Sequence, residues 1–171
     1  LSYEPVNGLM LRASHARALR GVGIIEPYLK QYQENDSHID PEKARNSELS
    51  ATWDQGPWQW VGSVFRQRID NFIGYDDVRD NLGQVRTRGF STSLGYKAPL
   101  WSASLGLAQS HPTLNGQPLS QDDSLLLGNA NGRTWVVQLD RKLPVYNLTV
   151  GWSSRLVQKL TKVPEGDTSK A

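Results

Sequence analysis

The sequence predicts an all-β chain, an antiparallel up-and-down transmembrane β-barrel segment made of about eight strands of a larger barrel. Three observations predict it. Apolar and polar residues alternate with a period of two, brief turns alternate with long polar loops, and Trp and Tyr gather beside the brief turns.

The strands are expected at about 1–5, 9–19, 44–54, 58–70, 84–97, 100–110, 133–143 and 146–158. Successive side chains of a strand leave opposite faces of its sheet, so alternation assigns them to faces. Leu9, Leu11, Ala13 and His15 share one parity. Leu49, Ala51 and Trp53 oppose Glu48, Ser50 and Thr52. Phe90, Thr92, Leu94 and Tyr96 oppose Gly89, Ser91, Ser93 and Gly95. After a proline turn, Trp101, Ala103, Leu105 and Leu107 oppose Ser102, Ser104, Gly106 and Ala108. In the last strand Leu148, Val150, Trp152 and Ser154 oppose Asn147, Thr149, Gly151 and Ser153.

Tight turns are expected at Val6-Asn7-Gly8, Gln55-Gly56-Pro57, Ala98-Pro99 and Pro144-Val145, where Gly, Asn and Pro supply the required dihedrals. Long polar loops fill roughly 20–43, 71–83 and 111–132. Brief turns at one end and long loops at the other are the rhythm of an outer-membrane barrel, with the loops outside. Tyr3, Trp53, Trp58, Trp60, Tyr96, Trp101 and Tyr146 fall near the brief turns, as rings seeking a lipid–water boundary would. The opposite face carries Ser, Thr, Gly, Gln and Asn, too small and polar to fill a narrow barrel, so a wide lumen holding water or a plug is expected. A soluble antiparallel sandwich would share the alternation and stands as the alternative.

The chain has 171 residues and a formal net charge of +2 from 19 basic and 17 acidic side chains. No bulk field draws nucleic acid, and none is expected as a partner. With no cysteine there is neither a disulfide framework nor thiolate chemistry. Mean hydropathy is −0.53, and no run approaches the ~20 apolar residues of a membrane helix. Barrel strands, half polar, escape that criterion. The chain starts at Leu1 without Met or a signal peptide. Its first strand would enter from outside and its last would exit outward, so residues 1–171 are expected to be a partial barrel domain.

Four segments resemble TonB-dependent receptors. Pro41-Glu42-Lys43-Ala44-Arg45-Asn46-Ser47-Glu48-Leu49 looks like the family's Pro-Glu-Lys-x-x-Asn-x-Glu strand opening. Val64 to Ile73, read Val-Phe-Arg-Gln-Arg-Ile-Asp-Asn-Phe-Ile, resembles its next strand. Gly83-Gln84-Val85-Arg86-Thr87-Arg88-Gly89-Phe90 resembles the strand with a basic residue before Gly and an apolar residue. Leu9 to Arg20 is similar to the family's Ala-Ser-Tyr-Ala-Arg-Gly-Phe-Arg strand, although Leu19-Arg20-Gly21-Val22-Gly23 departs from the usual Phe-Arg-Ala-Pro continuation. The resemblance implies an outer-membrane transporter of about twenty-two strands, with an N-terminal plug domain and terminal strands outside this chain. It implies a ferric siderophore or similar chelate as ligand, outer-membrane lipid around the barrel, and energy from the TonB complex acting through the plug. Haem or another metal chelate, or passive passage through a porin, are the alternatives. No cofactor and no catalysis are expected.

Ligand contacts are expected in the outer loops and lumen. Arg20, Tyr28 and Tyr32 suit an anionic ferric chelate, since guanidinium groups match chelate oxygens. Glu26 lies in the same loop. Arg86 and Arg88 share a face and would meet plug or cargo were that face lumenal. His38 and His111 are the loop histidines that haem ligation would require. His15, sharing parity with Leu11, is expected near lipid or the rim and not as a ligand. Glu34-Asn35-Asp36 and Asp122-Asp123 read as solvated tips more than as a calcium loop. Asn147-Leu148-Thr149 matches a glycosylation sequon without meaning in a membrane strand. Ser14 and His15 point to opposite faces and cannot form a hydrolase dyad.

Overall fold

The alternating residues form one antiparallel sheet. The computed structural model describes residues 1–20, 39–75, 79–118 and 132–158. Its strands are β1 (Ser2–Val6), β2 (Leu9–Arg20), β3 (Glu42–Gln55), β4 (Trp58–Tyr75), β5 (Arg79–Lys97), β6 (Trp101–Leu114), β7 (Gln117–Pro118), β8 (Thr134–Leu143) and β9 (Leu148–Val157). Neighbours in sequence are neighbours in space, in the order β1-β2-β3-β4-β5-β6-β8-β9, with the two-residue β7 paired to β6. This is the up-and-down sheet that the alternation predicts.

The brief turns stand where Gly, Asn and Pro place them. Gly8 and Gly56 take positive φ of 82° and 57°. Pro144–Tyr146 forms a single 3-10 turn, closed by Asn147 in the left-handed region. The expected loops fare differently. Residues 71–83 are mostly strand, because β4 runs 18 residues and β5 runs 19. The ladder crosses this polar stretch through irregular register around Asn71 and Phe72. β6 likewise continues past Ser110 to Leu114 before its Asn115-Gly116 turn. Of the loop expected at 20–43, Arg20 belongs to β2 and Glu42 and Lys43 to β3, and residues 21–38 lie outside those described.

The described residues form no packed interior. Among the described residues only Glu42, Ile73 and Val85 are buried. Leu94, Leu105 and Val150 are 42%, 47% and 52% exposed, where a soluble sandwich would need them dry. The sandwich alternative therefore fails. The sheet presents one apolar and one polar surface, as a barrel wall must between hydrocarbon and a wet lumen.

Candidate functional site

Residues directly opposite one another in an antiparallel ladder share a face, so the register extends strand parity across the whole sheet. Trp53 opposes Trp60, Trp58 opposes Tyr96, and Trp60 opposes Leu94. Leu94 opposes Leu105, Leu107 opposes Trp135, and Leu139 opposes Trp152. With Trp101 facing Arg141 in the same ladder, all six tryptophans occupy one face. The other carries the serine rows, such as Ser63 opposite Ser91, whose hydroxyls lie 3.0 Å apart.

Three zones follow one another on the tryptophan face. Beside the brief turns lies an aromatic cluster: Trp58 meets Tyr96 edge-on at 4.7 Å, and Tyr96 stacks on Trp101 at 4.9 Å. Next comes an apolar zone containing a trough of about 610 Å³, floored by Ala13, Ala51, Gly62 and Thr92 between Leu49, Val64 and Phe90. Gly62 is required there, because a Cβ would stand 2.6 Å from the Trp60 ring. That indole donates its N–H to Thr92 Oγ1 at 2.8 Å, satisfying its one polar atom.

The third zone, toward the loops, is basic. Arg17 opposes Arg45, Arg45 opposes Arg68, and Arg68 opposes Arg86, an unbroken cross-strand row on β2 to β5. One pleat nearer the trough, Arg66 opposes Arg88, and Arg88 opposes His111. Among the described side chains of this face, Asp70 is the one carboxylate, 2.8 Å from Arg68 and 3.5 Å from Arg45. It lies on the part of β4 that projects past the apolar zone. The Arg68 hydrogen bond holds its carboxyl below the ordinary carboxylate range despite some desolvation, and Gln84 adds to the lowering.

Arg86 and Arg88, expected to meet plug or cargo were their face lumenal, share one face as their parity requires. Both share parity with Phe90 and Leu94, hence the tryptophan face and not the serine face. His111, expected in a loop, lies within β6 on that same face beside Gln109. Arg20 ends β2 instead of opening a loop. It stands on the polar face, its Nη1 3.4 Å from Glu42 Oε2. Tyr28, Tyr32 and His38 lie outside the described residues, as do Glu26, Glu34-Asn35-Asp36 and Asp122-Asp123.

His15 lies on the tryptophan face, as its parity predicts, and its Nδ1 is 2.9 Å from Ser47 Oγ. Arg17 Nε donates to His15 Nε2 at 3.2 Å. An Nε2 that accepts leaves the proton on Nδ1, so the ring donates to the serine and cannot deprotonate it. Ser14, on the other face, is no partner. No group of three or more His, Cys, Asp or Glu among the described residues could hold a metal ion.

Sequence reasoning missed a polar clamp at the loop end. The buried Glu42 accepts the Ile73 N–H at 2.8 Å, where β3 has ended and β4 continues. The Asn81 side chain accepts from the Asp40 N–H at 2.8 Å and donates to the Asn71 carbonyl at 2.9 Å. Asn71 adopts φ 57°, conformationally easiest for Asn or Gly. Asn115, at φ 51°, accepts from the Gln84 N–H at 2.8 Å and donates to the Leu82 carbonyl at 2.9 Å. Gly83 lets that amide approach, since a Cβ would come within 2.2 Å of it. The outer ends of the segments Pro41–Leu49 and Val64–Ile73 are thus locked together by side chains.

The family described as TonB dependent receptor-like, beta-barrel matches residues 1–162. No sequence among curated proteins matches. The structure is similar to the FrpB iron transporter from Neisseria meningitidis, F3-3 variant, with TM-score 0.76, 24% identity, and coverage of 92% of this chain and 26% of that one. It is similar to the copper transporter OprC, with TM-score 0.74, 14% identity, and coverage of 98% and 27%. It is also similar to the ferric-catecholate import receptor Fiu from K12 E. coli, with TM-score 0.66, 19% identity, and coverage of 96% and 24%. The chain therefore spans about a quarter of the length of these structures.

Proposed function

Because the chain belongs to the TonB-dependent receptor family and resides in the outer membrane of a Gram-negative bacterium, we propose that it forms part of the wall of a transporter importing a ferric siderophore or a similar scarce metal chelate. The observation that carries this reading is the family match, which takes in every described strand. Two-faced alternation supports it, the tryptophan face meeting lipid and the serine face a wet lumen. The iron, copper and ferric-catecholate named for the similar structures favour a metal chelate as cargo.

On this reading the wall performs no covalent chemistry, consistent with a family of transporters and receptors and not of enzymes. Energy reaches it through a plug domain that contacts TonB. Arg20, on the lumenal face at the loop end, is the expected ligand contact whose described position suits that role. A passive porin would not share the family match. The haem alternative loses His111, which stands on the lipid-facing side.

The test is uptake by the full-length receptor in cells lacking their other ferric-chelate receptors. Labelled ferric siderophore should accumulate, and deleting TonB should abolish accumulation. Uptake that persists without TonB would refute the proposal.

A further inference from the structure

The arginine row has a feature that its strands do not explain. Like charges directly opposite each other in a ladder are destabilising. Here Arg17, Arg45, Arg68 and Arg86 stand in register on successive strands, and Arg66 faces Arg88 one pleat below. Adjacent strands are only ~4.8 Å apart, so the row packs guanidinium groups over roughly 14 Å. Asp70 serves Arg68 and Arg45 at one end. Neither Arg66 nor Arg88 makes a side-chain hydrogen bond or ion pair among the described residues.

The apolar trough lies directly beneath the arginines. Val64 and Phe90, each two residues from Arg66 and Arg88, line the upper end of the apolar trough of about 610 Å³. Two residues along a strand are ~7 Å. A ligand anchored at the arginines and extending toward the brief turns therefore enters the trough. It must be anionic and wider than one phosphate at its head, and apolar along its body.

We propose that the row and trough form a binding site on the barrel's outer wall for a phosphorylated, multiply acylated lipid of the outer leaflet. Its phosphates lie across Arg45, Arg66, Arg68, Arg86 and Arg88, and an acyl chain lies over Ala51 and Gly62. Guanidinium forks suit phosphate oxygens bidentately, and a bridging anion turns the cross-strand repulsion into attraction. Basic pockets at the headgroup level of membrane proteins take anionic lipid heads by the same physics. The inference rests on the transporter reading for its orientation: tryptophans in lipid, loops outward.

The test uses the full-length receptor, stripped of lipid by detergent exchange and melted with three probes: diphosphorylated lipid A, its dephosphorylated counterpart, and inorganic phosphate. Diphosphorylated lipid A should raise Tm, and the other two should not. In Arg66→Gln/Arg88→Gln the affinity should fall about tenfold or more, since each charge-assisted contact is strong enough for that alone. Arg66→Lys/Arg88→Lys keeps the charge and loses the forks, so an intermediate loss is expected. Ala51→Leu narrows the trough and should weaken lipid binding with the arginines intact. Retained heat-modifiability in electrophoresis shows that each variant still forms a barrel. Equal Tm shifts in wild type and the Gln variant, or a phosphate effect matching that of lipid A, would overturn the site. TonB-dependent uptake is measured in parallel: normal uptake without lipid stabilisation removes this site alone, whereas lipid stabilisation without uptake removes the transport reading alone.

Discussion

Replacing Glu42 tests whether the loop end is held by side chains or by the ladder alone. Glu42 is 6% exposed, and its Oε1 accepts the N–H of Ile73, itself 6% exposed. Glu42→Ala removes a charge-assisted bond to a buried amide and strands that amide, a cost of about 2 kcal/mol. The Arg20 contact adds little, since Arg20 is 57% exposed at the side chain. Glu42→Gln keeps an acceptor of the same length and loses only the charge, about 1 kcal/mol. One kcal/mol is roughly a fivefold change in an opening equilibrium, so hydrogen exchange should report about 30-fold weaker protection for Ala and fivefold for Gln. The assay is exchange mass spectrometry on the full-length receptor, comparing a peptide over 69–75 with one over 58–66. Only the first should lose protection. Unchanged protection at 69–75, or equal loss in both peptides, would refute the clamp.

Three further outcomes follow from the same geometry. Gly83→Ala places a Cβ against the Asn115 amide at a positive φ, so exchange should quicken at Gln84 and Asn115 with an opening cost of about 1–2 kcal/mol; wild-type protection there would count against it. Gly62→Val drives the Trp60 ring off its seat and breaks the bond to Thr92, so barrel Tm should fall while Gly95→Ala, with nothing nearer than 3.8 Å, changes it little. Asp70 has its pKa lowered in the folded state, so its contribution is present above the ordinary Asp range and disappears as pH falls through the lower folded value. Exchange at the β4–β5 outer ladder should therefore rise only in strong acid, and Asp70→Asn should erase that acid dependence.

Much of the fold was legible because alternation is a local property. Parity puts Leu94, Leu105, Val150 and His15 each on the apolar side of its own strand, and the register then joins those sides into one face. The long β4–β5 ladder was not legible. Asn71 and Gly83 read as loop composition, yet both are bulge residues inside the β4–β5 ladder, where positive φ interrupts the period of two. His111 was missed for a related reason: apolar alternation stops near Ala108 while the ladder continues to Leu114. The parity of Arg86 and Arg88 with Phe90 was available in the sequence. What no single strand discloses is register. Only the pairing of separate strands brings Arg17, Arg45, Arg68 and Arg86 into one line.

The length of β4 and β5 has a mechanical corollary. Eighteen residues at ~3.3 Å each make a ribbon of about 60 Å, more than twice the height of the apolar band. A hydrogen-bonded ribbon resists stretching and shear, whereas an irregular excursion of the same composition would absorb a push in its own torsions. Among its described residues the ladder is interrupted at the bulge of Asn71 and Gly83, gripped on either side by Glu42, Asn81 and Asn115. A load applied near the tip is thus delivered to the wall as torque about that knuckle.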